Sequence, residues 1–326
     1  MGFSGRATND NRIVMRHVRL VGPAFLILVL GLFLTGALQP PTFDGLPSTP
    51  AATLLLLPVV RMIAFISGAV ATGGLLIGGV LGSDPRLLRV TFISTLIYAA
   101  ASAKELVFTL ADLLATNPWP GGGIGVTELR SFVTQIDDGR YLLLRVLLGL
   151  VVAFIVRTQS EPLSRVFALL TMVVAVSLPA FSGHSAAAIS HWAASTTMVF
   201  HLAAMNIWVG GVIALFIGRA AVPVVGRFSP IASASYVVLI LGGLANLLVR
   251  TQDWEALFAS QYGALLGLKT LLALGLGAVG AQQKVRAAEA LRSGSESGYR
   301  TMLAVEVSLM LTAMAFALVL ARIASP

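Results

Sequence analysis

Three of the four histidines in this chain stand between Gly183 and Gly211, interleaved with sulfur: His184, His191, Met198, His201 and Met205, with Trp208 just beyond. Imidazole and thioether groups are copper ligands, and thioether in particular favours Cu(I) over Zn(II) or Mg(II). The chain has no cysteine, so disulfides and thiolate ligands are excluded and any soft-metal chemistry must use His and Met.

Helical spacing orders these groups. At 100° per residue, positions 191, 198 and 205 drift by only about 20° every seven residues, so His191, Met198 and Met205 form a line along one face. His201 and Trp208 lie beside that line. Met198 to His201 is an i, i+3 pair and His201 to Met205 an i, i+4 pair, the spacings at which helical side chains are neighbours. A rise of about 1.5 Å per residue puts His201 roughly 18 Å below the start of the run, close to mid-membrane. His184 and His191 stay near the surface. The pattern is a ladder of ligands, not one closed site. An ionisable side chain at mid-membrane is functional by default, whereas a lone Met or Trp is an ordinary packing residue.

The elements that carry the ladder are set by composition. Hydrophobic residues make up 57% of the chain and charged residues 11%, with a mean hydropathy of +0.89. Lipid cannot satisfy exposed backbone groups, so runs of about 20 apolar residues close their hydrogen bonds as helices. The fold class expected is all-α, a polytopic bundle of about nine spans: 21–38, 54–82, 87–115, 140–157, 163–182, 189–218, 229–250, 262–284 and 300–323. Residues 1–20, which include His17, form a basic cytoplasmic tail, and 21–326 a single membrane domain without internal repeats. The first span ends at Leu38-Gln39-Pro40-Pro41 without a small-residue cleavage site, and is expected to be retained.

Basic residues orient the bundle. With the N-terminus inside, fourteen of the 22 Lys and Arg fall on the cytoplasmic side; only Arg130, Arg140, Arg250 and Arg322 lie outside, and Arg61, Lys104, Arg145 and Lys269 sit within spans. The expected topology is N-in and C-out, with Trp119, Trp192, Trp254, Tyr141 and Tyr262 at the outer interface. The net charge of +8 reports this topology, not nucleic-acid binding. Between spans, Val126, Leu129, Phe132, Val133 and Ile136 recur at helical spacing, which predicts a short amphipathic helix on the outer membrane surface. The segment 284–300 reads as a polar inner loop.

Charges inside the spans need partners. Lys104 and Glu105 point about 100° apart and cannot pair with each other. Arg61 and Glu105 fall at similar depth, which suits an interhelical ion pair, whereas Lys269 and Glu306 differ in depth by roughly 11 Å, a separation that a direct bond spans only with tilt or snorkelling. Structural pairing and a cation path both remain open for these groups. The glycine pairs Gly73-Gly74, Gly78-Gly79, Gly210-Gly211 and Gly242-Gly243 are expected to let helices approach closely.

The stretch Ser182-Gly183-His184-Ser185-Ala186, then His201-Leu202-Ala203-Ala204 and Trp208-Val209-Gly210-Gly211, resembles the bacterial copper-resistance D (CopD) family. So do Tyr262-Gly263-Ala264-Leu265-Leu266-Gly267-Leu268-Lys269 and Glu306 in the last span. The likeness covers about 160–326 well and the N-terminal third only in hydropathy. It is similar in particular to the CopD half of actinobacterial fusions to a cytochrome oxidase assembly module, a module that this chain, ending at Pro326, is expected to lack. The resemblance implies a multi-pass protein of the bacterial plasma (inner) membrane that handles copper, with His184, His201 and Trp208 carried over most directly. Partners would be the lipid bilayer and an extracytoplasmic copper chaperone or oxidase assembly module.

The leading expectation is therefore capture of copper by His184 and His191 and inward passage through Met198, His201 and Met205. A b-type haem protein and a non-transporting assembly factor stand as alternatives, the former because membrane histidines also ligate haem. No nucleophile and base pair or phosphate loop occurs, and the chain does not read as an enzyme.

Overall fold

A computed structural model describes residues 21–39, 47–119, 121–182, 191–218, 222–251, 253–292 and 296–323. The expected tail at 1–20 and His184 in the 183–190 segment lie outside the described residues. Within them the chain is helical: α1 Val21–Leu34, α2 Ala51–Leu75 running into a π-helical turn Leu76–Val80, α3 Pro85–Leu113, α4 Val126–Gln135, α5 Asp137–Thr158, α6 Pro162–Ser177 with a 3-10 turn Leu178–Phe181, α7 His191–Ile217, α8 Val222–Arg250, α9 Trp254–Ala259, α10 Gln261–Arg292 and α11 Glu296–Leu320. Eight of these are long and apolar enough to cross a membrane, while α1 is shorter. The protein is an all-α polytopic bundle.

Consecutive spans run up and down, which collects Trp119, Trp192 and Trp254 at one end and Arg86, Arg89, Arg157, Arg165, Arg227 and Arg300 at the other. The start of α3 shows how the sequence sets a boundary. Asp84 accepts from the backbone N–H of Arg86 and Leu87 at 2.9 and 3.2 Å, and Pro85 occupies the first helical position, where its missing N–H costs nothing. At the tryptophan end Arg322 reaches back to Asp112 at 2.8 Å and ties the close of α11 to α3.

Two cores result. The larger joins α1, α2, α7 and α11 around Leu28, Leu32, Met62, Ala69, Trp208, Met310 and Val319; α1 enters it through Ala24, Leu28 and Leu32, one helical turn apart. The second joins α2, α3, α5 and α6 around Tyr98, Val152, Met172 and Val176. Helices α2 and α7 meet backbone to backbone: a Cβ on Gly73 would overlap the Gly210 carbonyl, and one on Gly210 the Ala69 carbonyl.

The structure corrects two expectations. The apolar side of α4 does not face lipid, because Leu129, Phe132 and Val133 pack on Leu106 and Leu110 of α3 and Leu142 of α5, leaving Phe132 1% exposed. Only Val126 and Ile136 at the ends of its apolar stripe stay exposed. The polar loop expected at 284–300 is mostly helix, since α10 continues to Arg292 and α11 begins at Glu296. Hydropathy ends at the membrane edge, but Ala281-Gln282-Gln283-Lys284 and Ala287-Ala288-Glu289-Ala290-Leu291-Arg292 are strong helix formers and carry the helix past it.

Candidate metal site at the α7 and α8 seam

His201 lies ten residues into α7, about 15 Å along its axis. Its Nδ1 stands 2.9 Å from the Leu239 carbonyl oxygen on α8. A carbonyl can only accept, so Nδ1 carries the proton and donates it. The neutral ring then keeps its free lone pair on Nε2, the arrangement in which a backbone acceptor orients a histidine for metal ligation.

Glycines on α8 make room for that ring. A Cβ on Gly243 would sit 3.3 Å from His201 Cε1 and Nδ1, and one on Gly242 3.4 Å from the His201 Cβ and backbone nitrogen. Of the expected glycine contacts, Gly242-Gly243 thus spaces a side chain, whereas Gly210 spaces a backbone. Two turns along, Trp208 of α7 meets Tyr236 of α8 edge to face, with ring centroids 5.1 Å apart. These two contacts fix one antiparallel register for the seam. The same register sets Met198 level with Asn246 and Met205 level with Leu239.

The expected ladder is therefore a seam between two helices. Met198 and Met205 are half-buried, one turn to either side of His201. Lys269 of α10 comes within electrostatic range of the His201 ring. Among the described residues Lys269 makes no hydrogen bond or ion pair. Among the described residues, Asn246 Oδ1, toward the tryptophan end from His201, is buried without a hydrogen-bond partner; so is Ser195 Oγ, on the side of α7 that faces Phe181. His191 opens α7 on that same side, and its side chain lies outside the described residues. Among the described residues no three His, Cys, Asp or Glu side chains converge, so a metal at the seam would depend on imidazole and thioether. The chain has no histidine beyond His201, so α8, α10 and α11 offer no second imidazole for a bis-histidine haem.

The remaining sequence candidates sit elsewhere. Glu306 is 3% exposed in α11, level with Gly280, where a Cβ would lie 3.7 Å from its Oε1. Gly280 is eleven residues, about 16 Å, along α10 from Lys269, so the two charges occupy different layers, as depth counting required. Arg61 and Glu105 do pair, Nε to Oε1 at 3.0 Å, but in the second core. There Arg145 Nη1 joins Glu105 Oε2 at 2.7 Å, Arg145 Nε donates to the Tyr98 hydroxyl at 3.2 Å, and Tyr98 donates to the Ala175 carbonyl at 2.8 Å. Lys104 faces out of the bundle. Arg145 and Tyr98 were not expected as partners; an arginine deep in α5 was the available signal. The network holds two guanidiniums against one carboxylate, a surplus of positive charge that repels a metal cation.

Known proteins give this geometry a context. A family model described as copper resistance protein D matches residues 222–320, and one described as copper resistance protein D-like, N-terminal domain, matches 51–192. The N-terminal part is thus similar in more than hydropathy, and residues 193–221, most of α7, lie between the two matches. The copper transport protein CutJ of Bacillus subtilis (strain 168) is 27% identical over 147 residues, which cover 42% of this chain. The match covers 27% of that relative, so this chain spans about a quarter of its length. No solved structure matches the chain.

Proposed function

Since the chain belongs to the copper-resistance protein D family, we propose that it binds Cu(I) at the α7 and α8 seam and carries it across the bacterial plasma membrane from the tryptophan end inward. A copper-related role for this multi-pass protein follows from the family; site, oxidation state and direction are our reading. The observation that carries it is the His201 ring, held through Nδ1 by the Leu239 carbonyl, with half-buried Met198 and Met205 one helical turn to either side along α7.

In this reading His184 and His191 collect the ion, and Met198, His201 and Met205 pass it on. Lys269, when protonated, opposes a cation at His201. That repulsion keeps the hold weak, which suits transit, because conduction needs sites that release as readily as they bind. Copper is the cargo here, delivered by an extracytoplasmic chaperone or an oxidase assembly module. The reading supposes no catalysis.

The test is Cu(I) stoichiometry of the purified protein, followed by copper flux into reconstituted vesicles. His201→Ala is expected to lose the bound ion and the flux together. Wild-type stoichiometry in that variant would sink the site assignment, and binding without any flux in the wild-type protein would favour an assembly factor over a transporter.

A further inference from the structure

The seam is not symmetric about His201. Toward the tryptophan end its residues are small or polar: Gly242 and Gly243, Thr197 and Asn246, the last with a buried Oδ1 that no group among the described residues satisfies. A buried unsatisfied oxygen is costly, and water or a passing cation relieves it. Toward the arginine end the character reverses. Trp208 is 5% exposed and meets Tyr236 edge to face, closing the seam two turns below His201. Below that pair Phe228 of α8, 3% exposed, lies against Gly211 of α7, where a Cβ would overlap its ring. An ion leaving His201 inward therefore meets two aromatic layers, whereas outward it meets glycine and the Asn246 oxygen.

The third helix completes the closure. Lys269 and Gly277 are eight residues apart on α10, about 12 Å, close to the roughly 10.5 Å between His201 and Trp208 on α7. Gly277 accordingly lies level with the aromatic pair, and a Cβ there would overlap the Tyr236 hydroxyl oxygen and the ring carbon that bears it. Tyr236 thus occupies a slot that exists only because residue 277 has no side chain. A bulkier residue at that position forces the ring out of the slot.

From this geometry we infer that Trp208 and Tyr236, with Gly277 as the slot for the tyrosine, form the inner gate of the copper path, and that the described conformation is closed on the cytoplasmic side and approachable from the other. The inference rests on the proposed copper site and adds to it the residues that decide from which side the site is reached. An edge-to-face pair contributes beyond its buried area by an amount equivalent to about two- to tenfold in an equilibrium.

The experiment loads vesicle-reconstituted protein with Cu(I) and measures release to a membrane-impermeant Cu(I) chelator added outside or trapped inside, sorting molecules by orientation. In the wild type, release is expected to be fast to the face that carries Trp192 and slow to the opposite face. Tyr236→Ala is expected to keep wild-type copper stoichiometry while releasing the ion to the opposite face about tenfold faster. Tyr236→Phe retains the ring and is expected to stay sealed, and Gly277→Ala, which displaces the ring while altering one methyl group, is expected to leak like Tyr236→Ala. Release from copper-loaded Tyr236→Ala and Gly277→Ala to the inner face at the wild-type rate would overturn the gate, as would faster inward release in Tyr236→Phe. Failure of the site itself shows differently, as wild-type protein without copper or His201→Ala with its full share.

Discussion

Replacing Glu105 by glutamine removes one negative charge from between two guanidiniums and keeps the side-chain shape. The carboxylate is 8% exposed, Arg145 3% and Arg61 26%, so Arg145 has no route to water once its partner is neutral. Breaking a buried pair from one side costs about 3–5 kcal/mol, because the surviving charge is left uncompensated. Arg61 is open enough to recover part of its own share, which places the expected loss near the lower figure, about 3 kcal/mol. At roughly 2–4 °C per kcal/mol for chains of 150–250 residues, the midpoint of thermal unfolding in detergent should fall by about 6–12 °C. The companion variant replaces the charges together: Arg61→Met, Glu105→Leu and Arg145→Met. Apolar replacement of a whole buried ionic cluster is commonly neutral or stabilising, so the triple variant should unfold within about 2 °C of wild type and retain copper flux. A midpoint shift under about 2 °C in Glu105→Gln would refute the reasoning that the cluster is dry and tightly coupled. A triple variant that is stable but inactive would show that the charges belong to the path after all.

Two further outcomes follow from contacts already described. Gly243→Val puts branched carbon against the His201 ring and should push Nδ1 off the Leu239 carbonyl; loss of such an orienting bond lowers metal affinity by about 10–100-fold, measurable by chelator competition, with little change in the unfolding midpoint. Phe132→Ala empties the pocket between α3, α4 and α5 at a cost of about 3–5 kcal/mol, and should release α4 enough for limited proteolysis to cut between 114 and 139, where the wild type resists.

The bundle itself was legible because lipid imposes one rule on every segment, and the same rule gave the depths of His201, Arg61 and Glu105. Depth is a single coordinate, however. It matched Arg61 to Glu105 but could not say which helix stands at which bearing around them, so Arg145 and Tyr98 stayed invisible as partners. The α7 and α8 seam shows the same gap. Spacing along α7 found Met198, His201 and Met205 but carried no information on the antiparallel register, which is fixed by packing at Gly243 and Tyr236. Helix α4 was recognisable from its apolar stripe, yet a stripe does not say whether lipid or protein covers it. The ends of α10 and α11 were misplaced because hydropathy reports the membrane edge, and helix propensity carries the backbone beyond it.

The contact of Gly73 with Gly210, and of Gly210 with Ala69, sets main chain against main chain where α2 meets α7. Side chains can yield by changing rotamer, but a carbonyl set against a glycine has no such freedom, and α7 is held to α2 as a rivet holds two plates. The opposite wall of the seam is of another kind: few central residues of α8 and α10 are buried, and Leu241, Leu244, Leu248, Leu271 and Leu274 turn outward. That wall leans on hydrocarbon instead of protein. The ligand-bearing wall is thus the fixed jaw and the lipid-facing wall the yielding one, which makes the thickness and fluidity of the surrounding bilayer a mechanical setting of the seam.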